Sequence, residues 1–268
     1  MKLHGYYGGM RLMKAIVKKF YDYAARHHAN LPLDRNFQLK FETHIPRLVG
    51  MSGSSAIMCA TLRALMKFYN VDIPLPIMPG VILSAEKEEL HISAGLQDRV
   101  IQSYEGMVYM DFCKELVQKQ GYGEYIPLKP EKMPPLYVSF DPNRAEVSDV
   151  THRNLRLLFE QGDPTVVGAM QKYRDLTDRG HAALMAGDWE ALHRITNENF
   201  DLRKTFMPIA MENQRMVDVA RSTGASAKFA GSGGAICGVY HGERQFNQLT
   251  AALNEIGCTT IKPHIFED

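Results

Sequence analysis

Long hydrophobic runs are missing from this chain of 268 residues. No apolar stretch approaches the roughly 20 residues that a membrane-spanning helix needs. The first residues carry neither an apolar core nor a cleavage pattern, so no signal peptide is read there and no membrane partner is expected. An excess of either charge is missing too: 31 Lys plus Arg stand against 30 Asp plus Glu, a net charge of +1. That balance argues against a general nucleic-acid binder or a polybasic membrane binder. It leaves room for a local phosphate site. Cysteine is scarce, and Cys59, Cys113, Cys237 and Cys258 show no metal-ligand spacing. A disulfide scaffold is excluded, and reduced thiols in a cytoplasmic protein are expected. Repeats and low-complexity tracts are absent. What is present is ordinary for a globular protein, with 45% apolar and 23% charged residues. The length suits one large domain or two small ones, each able to bury a core without staples.

Hydrophobic spacing places the elements. Leu12, Ile16, Phe20 and Ala24 form one stripe and predict an amphipathic helix from Met10 to His27, with Pro32 breaking the pattern. Phe37, Leu39 and Phe41 alternate with Gln38, Lys40 and Glu42, the pattern of a half-buried strand ended by Pro46. From Ser54 the chain is apolar nearly all round, which predicts a central, buried helix. Helices are predicted at about 84–90 and 98–104, and a strand at 107–112. Four prolines and two glycines in 121–135 mark a linker. Beyond it come a strand at 136–140, three or four helices between about 151 and 223, and short strands at 227–230 and 235–240. A helix at 243–256 and a strand at 259–266 close the pattern. Strands mixed with helices in each half predict an α+β fold in two domains, 1–133 and 134–268.

Two loops could hold phosphate. The first runs from Pro46 to Ala56 and includes Gly50, Ser52, Gly53, Ser54 and Ser55, between the predicted strand and the buried helix. Glycine lets a backbone turn tightly and approach a ligand. The first N–H groups of a helix have no internal partner, and the helix dipole there favours an anion. The alternative is a serine N-cap on a core helix. No lysine follows the glycines, so this is not a Walker A loop. The second loop is Gly231-Ser232-Gly233-Gly234, which also reads as a plain hairpin turn. Between the two lies an acidic stretch. Glu86 and Glu89 are three apart, so on a helix they share a face and could offer a carboxylate to Mg²⁺. Asp98 stands where a helix restarts after Gly95, either as an N-cap or as a carboxylate base.

These segments, in this order, resemble the three-motif pattern of the GHMP superfamily of small-molecule kinases. Pro46 to Ala56 resembles its phosphate-binding motif, Lys228 to Ala235 its C-terminal motif, and Ala94-Gly95-Leu96-Gln97-Asp98 the segment that carries the catalytic aspartate in many members. Ser52-Gly53-Ser54-Ser55-Ala56-Ile57, Gly95-Leu96-Gln97-Asp98-Arg99-Val100 and Asn199-Phe200-Asp201-Leu202-Arg203 are similar to stretches of the plant glucuronokinases within it. The resemblance implies a ribosomal-protein-S5-like N-terminal domain and a ferredoxin-like C-terminal domain. It implies ATP and Mg²⁺, and phosphoryl transfer to the anomeric hydroxyl of D-glucuronate.

The roles it implies fall on named residues. Pro46, Gly50, Ser52, Gly53, Ser54, Ser55 and Gly231, Ser232, Gly233 and Gly234 would hold the nucleotide. Ser54 or Ser55, with Glu86 or Glu89, would hold the metal, Asp98 would be the base, and Arg99 and Arg203 would meet the sugar carboxylate or a phosphate. Surface salt bridges are the alternative for the two arginines. A kinase for galacturonate, galactose or arabinose, and a non-catalytic sugar or nucleotide sensor on the same fold, are the other readings. The pattern's first motif would precede the first helix, and Met1 to Gly9 already lies past it. Its loss is expected to leave an open sheet edge at Phe37 to Glu42, with self-association and weakened sugar binding. Glu105 stands where relatives carry glycine.

Overall fold

The computed structural model describes residues 6, 10–28, 31, 35–46, 49–143 and 149–265, with backbone alone for 149–154. The chain divides into two compact units. The first comprises residues up to Ile45 and Ser52–Leu128, and the second Pro46–Met51 and residues from Lys129 onward.

The first unit is mainly helical. Helix α1 (Arg11–His27) buries Met13, Ala15, Ile16, Phe20 and Ala24, the predicted stripe. It packs on α2 (Gly53–Tyr69), whose Met58, Cys59, Leu62 and Leu65 join Phe20 and Ile16 in one core. The all-round burial expected of α2 is corrected. Ala60, Arg63, Ala64 and Lys67 are exposed on its far side, so the helix buries a face and not its whole girth. Asn70, at φ 52°, ends α2, and the Val71 N–H closes on the Met66 carbonyl at 2.9 Å. Helix α3 (Met78–Ser84) begins with Pro79 in its first turn and runs into one π-helical turn, Ala85–Glu89. Helix α4 (Gln97–Tyr104) follows. Strand β1 (Val108–Asp111), helix α5 (Lys114–Gln120) and strand β2 (Glu124–Pro127) then make an antiparallel two-stranded sheet with Tyr109 opposite Ile126. Strand β2 lies inside the predicted linker. Its four residues between Gly123 and Leu128 are too few to show alternation, and their glycine and proline flanks read as loop.

The strand expected at 37–42 does not form. Residues 35–44 have no ladder partner among the described residues. Phe37 instead rests edge-on against Phe68 and Tyr69 of α2, and Phe41 is exposed. Alternation marks an extended chain, and only a neighbouring strand turns that into a sheet. Among the described residues, Phe37 to Glu42 therefore join no sheet.

The second unit carries strand β3 (Leu136–Phe140), helices α6 (Asp149–Glu160), α7 (Pro164–Ala186), α8 (Trp189–Lys204) and α9 (Met211–Ser222), strands β4 (Lys228–Phe229) and β5 (Ala235–Val239), helix α10 (Gly242–Asn254) and strand β6 (Thr259–Ile261). The sheet order is β4-β5-β3-β6, antiparallel throughout. A strand, a helical crossover, a hairpin, a helix and a strand, with β5 and β3 central, is the split βαβ arrangement of ferredoxin-like folds. Tyr137, Phe200, Val217, Ile236, Leu249 and Leu253 fill the layer between helices and sheet. Aspartates start two helices. Asp163 Oδ1 accepts from Thr165 and Val166 N–H at 3.0 Å each, and Asp188 caps α8 through Ala191 N–H at 2.9 Å. The expected break at Pro32 and strand end at Phe266 lie outside the described residues.

Glu105 closes α4 at φ 62° and ψ −177°, a region that glycine occupies freely and a side chain occupies under strain. Its carboxylate pairs with Arg63, a contact with both side chains largely exposed. Such strain costs about 1–3 kcal/mol, and an exposed pair returns about 0–1 kcal/mol. Glu105→Gly is therefore expected to raise stability by about 1 kcal/mol, read as a higher urea midpoint with unchanged slope. A lower midpoint would show that the Arg63 pair outweighs the strain.

Candidate active site

In the first unit the site grows from the start of α2. Ser52 precedes the helix in a left-handed conformation, φ 54° and ψ 27°, and its side chain makes no capping bond. The serine-cap alternative is not realised by Ser52, and the first-turn N–H groups of α2 carry no side-chain cap. Ser54 Oγ donates to Glu86 Oε1 at 3.3 Å. Ser55 turns inward and is fully buried. Of the two serines, only Ser54 stands beside a carboxylate.

Glu86 comes from the π turn and is 1% exposed. Such turns are rare and collect at functional sites. Arg99 Nε donates to Glu86 Oε2 at 2.5 Å, and Nη2 pairs with the same oxygen. Arg99 Nη1 donates to the Gly95 carbonyl at 3.0 Å and reaches Asp98 Oδ2 at 3.4 Å. Ser54, Glu86, Arg99 and Asp98 thus form one continuous polar chain. Burial pushes the Glu86 carboxyl above its ordinary range, and the Arg99 charge and the bonds from Arg99 and Ser54 pull against that rise. Asp98 is not an N-cap. Helix α4 starts at Gln97 after Leu96, and the Asp98 side chain lies in its first turn, 44% exposed. A carboxylate there gains from the helix dipole.

Two expectations are corrected here. Arg99 is 6% exposed and committed to Glu86, so it does not present its guanidinium to a sugar carboxylate. Glu89 does not share a face with Glu86. It faces α1, accepting from Tyr6 Oη at 2.5 Å and Lys18 Nζ at 2.6 Å, with Lys19 Nζ at 3.1 Å. The wider π turn changes the angular spacing that three residues would have on an α-helix. Burial raises the Glu89 carboxyl, but the bonds from Lys18, Tyr6 and Lys19 outweigh it and hold the group down to about 2. Ser55 Oγ is buried and has no hydrogen-bond partner among the described residues, so both Ser54 and Ser55 stay open as the hydroxyl ligand.

The donors that remain fit Mg²⁺. Ser54 Oγ and Glu86 Oε1 are adjacent hard oxygen atoms, and Mg²⁺ takes one or two carboxylates together with substrate phosphates. Among the described residues no group of three or more His, Cys, Asp or Glu could hold a metal without such help.

In the second unit the two glycine loops meet backbone to backbone. Gly50, at φ 73°, lies so close to Gly233 that a Cβ there would collide with the Gly233 carbonyl oxygen. A Cβ on Gly231 would sit 2.8 Å from the Gly50 carbonyl oxygen, and one on Gly234 3.1 Å from Val49 Cα. Glycine is required for this approach. Asn213 of α9, 4% exposed, accepts the Gly234 N–H at 3.3 Å through Oδ1. Arg203 of α8 donates to the carbonyls of Gly231 at 3.0 Å and Ser232 at 3.4 Å. Sequence reasoning missed Asn213, since one asparagine on an amphipathic helix carries no signal of its own. It also missed Lys18 and Lys19, whose partners on the π turn leave no mark in the spacing of α1.

The fold is that of a two-unit α+β protein, with paired glycine loops in one unit and a buried acid–arginine chain in the other. Residues 12–106 match the family described as the GHMP kinases N terminal domain. The chain is 44% identical over 238 residues to the Arabidopsis thaliana protein named "Probable glucuronokinase 2", and 43% identical over 237 residues to glucuronokinase 1 of that plant. Each match covers 87% of this chain, and the chain spans 64% and 65% of the length of these two relatives. Among solved structures, the Lin0012 protein of Listeria innocua matches with a TM-score of 0.79 at 13% identity, covering 97% of this chain and 80% of that one. Lactococcus lactis galactokinase matches with a TM-score of 0.75 at 12% identity, covering 98% and 77%. Residues 12–106 thus match the N-terminal domain of GHMP kinases, and the chain shares the fold of the solved galactokinase.

If Arg99 is what makes a buried Glu86 tolerable, Arg99→Met should destabilise the protein by about 3–5 kcal/mol, the cost of stranding a buried charge. Adding Glu86→Gln should recover much of that loss. Urea unfolding of the two single variants and the double variant checks this, and additive losses would refute the coupling.

Proposed function

We propose that the protein is an ATP-dependent sugar kinase that transfers the γ-phosphoryl group to the anomeric hydroxyl of D-glucuronate, giving the 1-phosphate. The observation that carries this reading is the Ser54–Glu86–Arg99–Asp98 chain. One guanidinium separates a buried carboxylate fit for Mg²⁺ from an exposed carboxylate fit for a proton. The likeness to two plant proteins whose names include glucuronokinase supports the choice of sugar acid.

Phosphoryl transfer needs positioning and charge stabilisation more than covalent help from the protein. In this reading Ser54 and Glu86 would hold Mg²⁺, which when bound offsets the negative charge of the phosphates. The backbone at Pro46, Gly50, Ser52 and Gly53, the first turn of α2, and the loop from Gly231 through Ser232 and Gly233 to Gly234 would hold phosphate oxygens. Asp98 takes the proton of the anomeric hydroxyl. That oxygen bonds to the γ-phosphorus, the bond from phosphorus to the β–γ bridging oxygen breaks, and ADP leaves. Arg99 stays on Glu86 and keeps the Asp98 carboxylate turned along α4. No helix among the described residues is long and apolar enough to cross a membrane. The cytoplasm is the compartment proposed, supported by four free cysteines.

A coupled assay over glucuronate, galacturonate, galactose and arabinose tests the substrate, with phosphorus NMR to locate the new ester. Turnover is expected with glucuronate and at the anomeric oxygen. Asp98→Asn should lower kcat by about 10²-fold or more and leave Mg-ATP affinity near wild type. Near-normal kcat would remove Asp98 as the base. Mg-ATP binding with no turnover on any sugar would make the protein a nucleotide-binding sensor.

A further inference from the structure

The Gly231–Gly234 loop owes its backbone orientation to a side chain outside it. Arg203 lies near the end of α8, about 28 residues upstream in sequence, and its two terminal nitrogens divide between two consecutive carbonyls. The guanidinium carbon stands 4.9 Å from the centre of the Phe229 ring, the last residue of β4. Stacking fixes the plane of the fork, and the fork fixes two oxygens. Arginine suits this task because its planar donors are set in advance, whereas lysine offers one mobile point charge.

The consequence follows from peptide geometry. All peptide bonds of the described chain are trans. In a trans peptide the C=O and the next N–H point in opposite directions. Holding the Gly231 and Ser232 carbonyls on Arg203 therefore turns the N–H groups of Ser232 and Gly233 to the opposite side of the loop. The next N–H, that of Gly234, is taken by Asn213. The carbonyl of Gly233 lies against Gly50, which closes the other way out. Two successive N–H groups on one side of a glycine turn make a concave anion nest. Left unclamped, a loop with three glycines in four residues would rotate these peptide planes freely.

We propose that Arg203 is a positioning residue. It touches neither sugar nor nucleotide, and it presets the Ser232 and Gly233 N–H groups as donors to a phosphate oxygen of the nucleotide. This replaces the role expected for Arg203 from the sequence, a direct ligand of the sugar carboxylate or a phosphate, and it rests on the kinase reading for the identity of the anion.

The test is Arg203→Lys beside Arg203→Met, with four readouts: melting temperature, Mg-ATP affinity by calorimetry, kcat, and KM for the sugar acid. Lysine keeps the charge and most of the stem but not the fork. Arg203→Lys is expected to melt close to wild type, to bind Mg-ATP about tenfold more weakly, and to lose about 10²-fold in kcat, the scale of a lost oxyanion donor. KM for the sugar should stay near wild type. A purely structural role would lower the melting temperature and leave this split absent. A rise in sugar KM with kcat preserved would overturn the proposal and make Arg203 a substrate ligand. Wild-type kcat and Mg-ATP affinity in Arg203→Lys would overturn it also. If the wild-type chain phosphorylates no sugar, the kinase reading fails, and Mg-ATP affinity still decides this one: weakened in Arg203→Lys it supports the clamp, unchanged it refutes it. Should Arg203→Met not fold, the lysine variant carries the same comparison.

Discussion

The pairing of Arg99 with Glu86 is the interaction on which the first unit's chemistry depends. A carboxylate 1% exposed is expensive to keep charged, and a guanidinium 6% exposed costs as much, so neither would sit there alone. Together they let one acidic oxygen face Ser54 while the other is neutralised. The pair also joins three elements, since Glu86 comes from the π turn, Arg99 from α4 and Ser54 from α2. The π turn is what separates the two acidic residues. It sends Glu86 inward and leaves Glu88 and Glu89 to bind Lys19 and Lys18 of α1. Ion pairs outside and a buried pair inside thus hold the same turn from both sides.

The second unit solves a related problem with backbone instead of charge. Its two glycine loops approach closely enough that side chains could not be accommodated. Arg203 and Asn213 take the carbonyls and one N–H of the Gly231–Gly234 loop. Phe229 and Phe200 each receive an arginine face, from Arg203 and Arg221. Arg203, lying over the Phe229 ring of the sheet, is the guanidinium that braces the Gly231–Gly234 loop.

Much of this was legible from residue patterns. The apolar stripe of α1, the strand at Leu136–Phe140 and the helix after His241 carry strong periodicity, and they stand where that periodicity puts them. The glycine loops announced themselves because serial glycine has few other uses. The strand expected at Phe37 to Glu42 failed because alternation reports extension without reporting a partner. The shared face of Glu86 and Glu89 failed because π geometry leaves no mark in composition. Arg99 and Arg203 read from the sequence as ligands of the sugar carboxylate or a phosphate, but spacing says nothing about where a long side chain turns. Both turned inward, to a carboxylate in one case and to carbonyls in the other. Asn213 had no pattern to give it away.

In the proposed chemistry Glu86 faces the metal while Arg99 holds it in place. ATP affinity measured with Mg²⁺ and in its absence, for the wild-type chain and for Glu86→Gln, tests that claim most directly. The account predicts that the gain in affinity that Mg²⁺ confers shrinks in Glu86→Gln, while metal-free ATP binds both proteins alike. An equal Mg²⁺ gain in the two proteins would contradict it and leave the Glu86–Arg99 pair as a structural feature of the core.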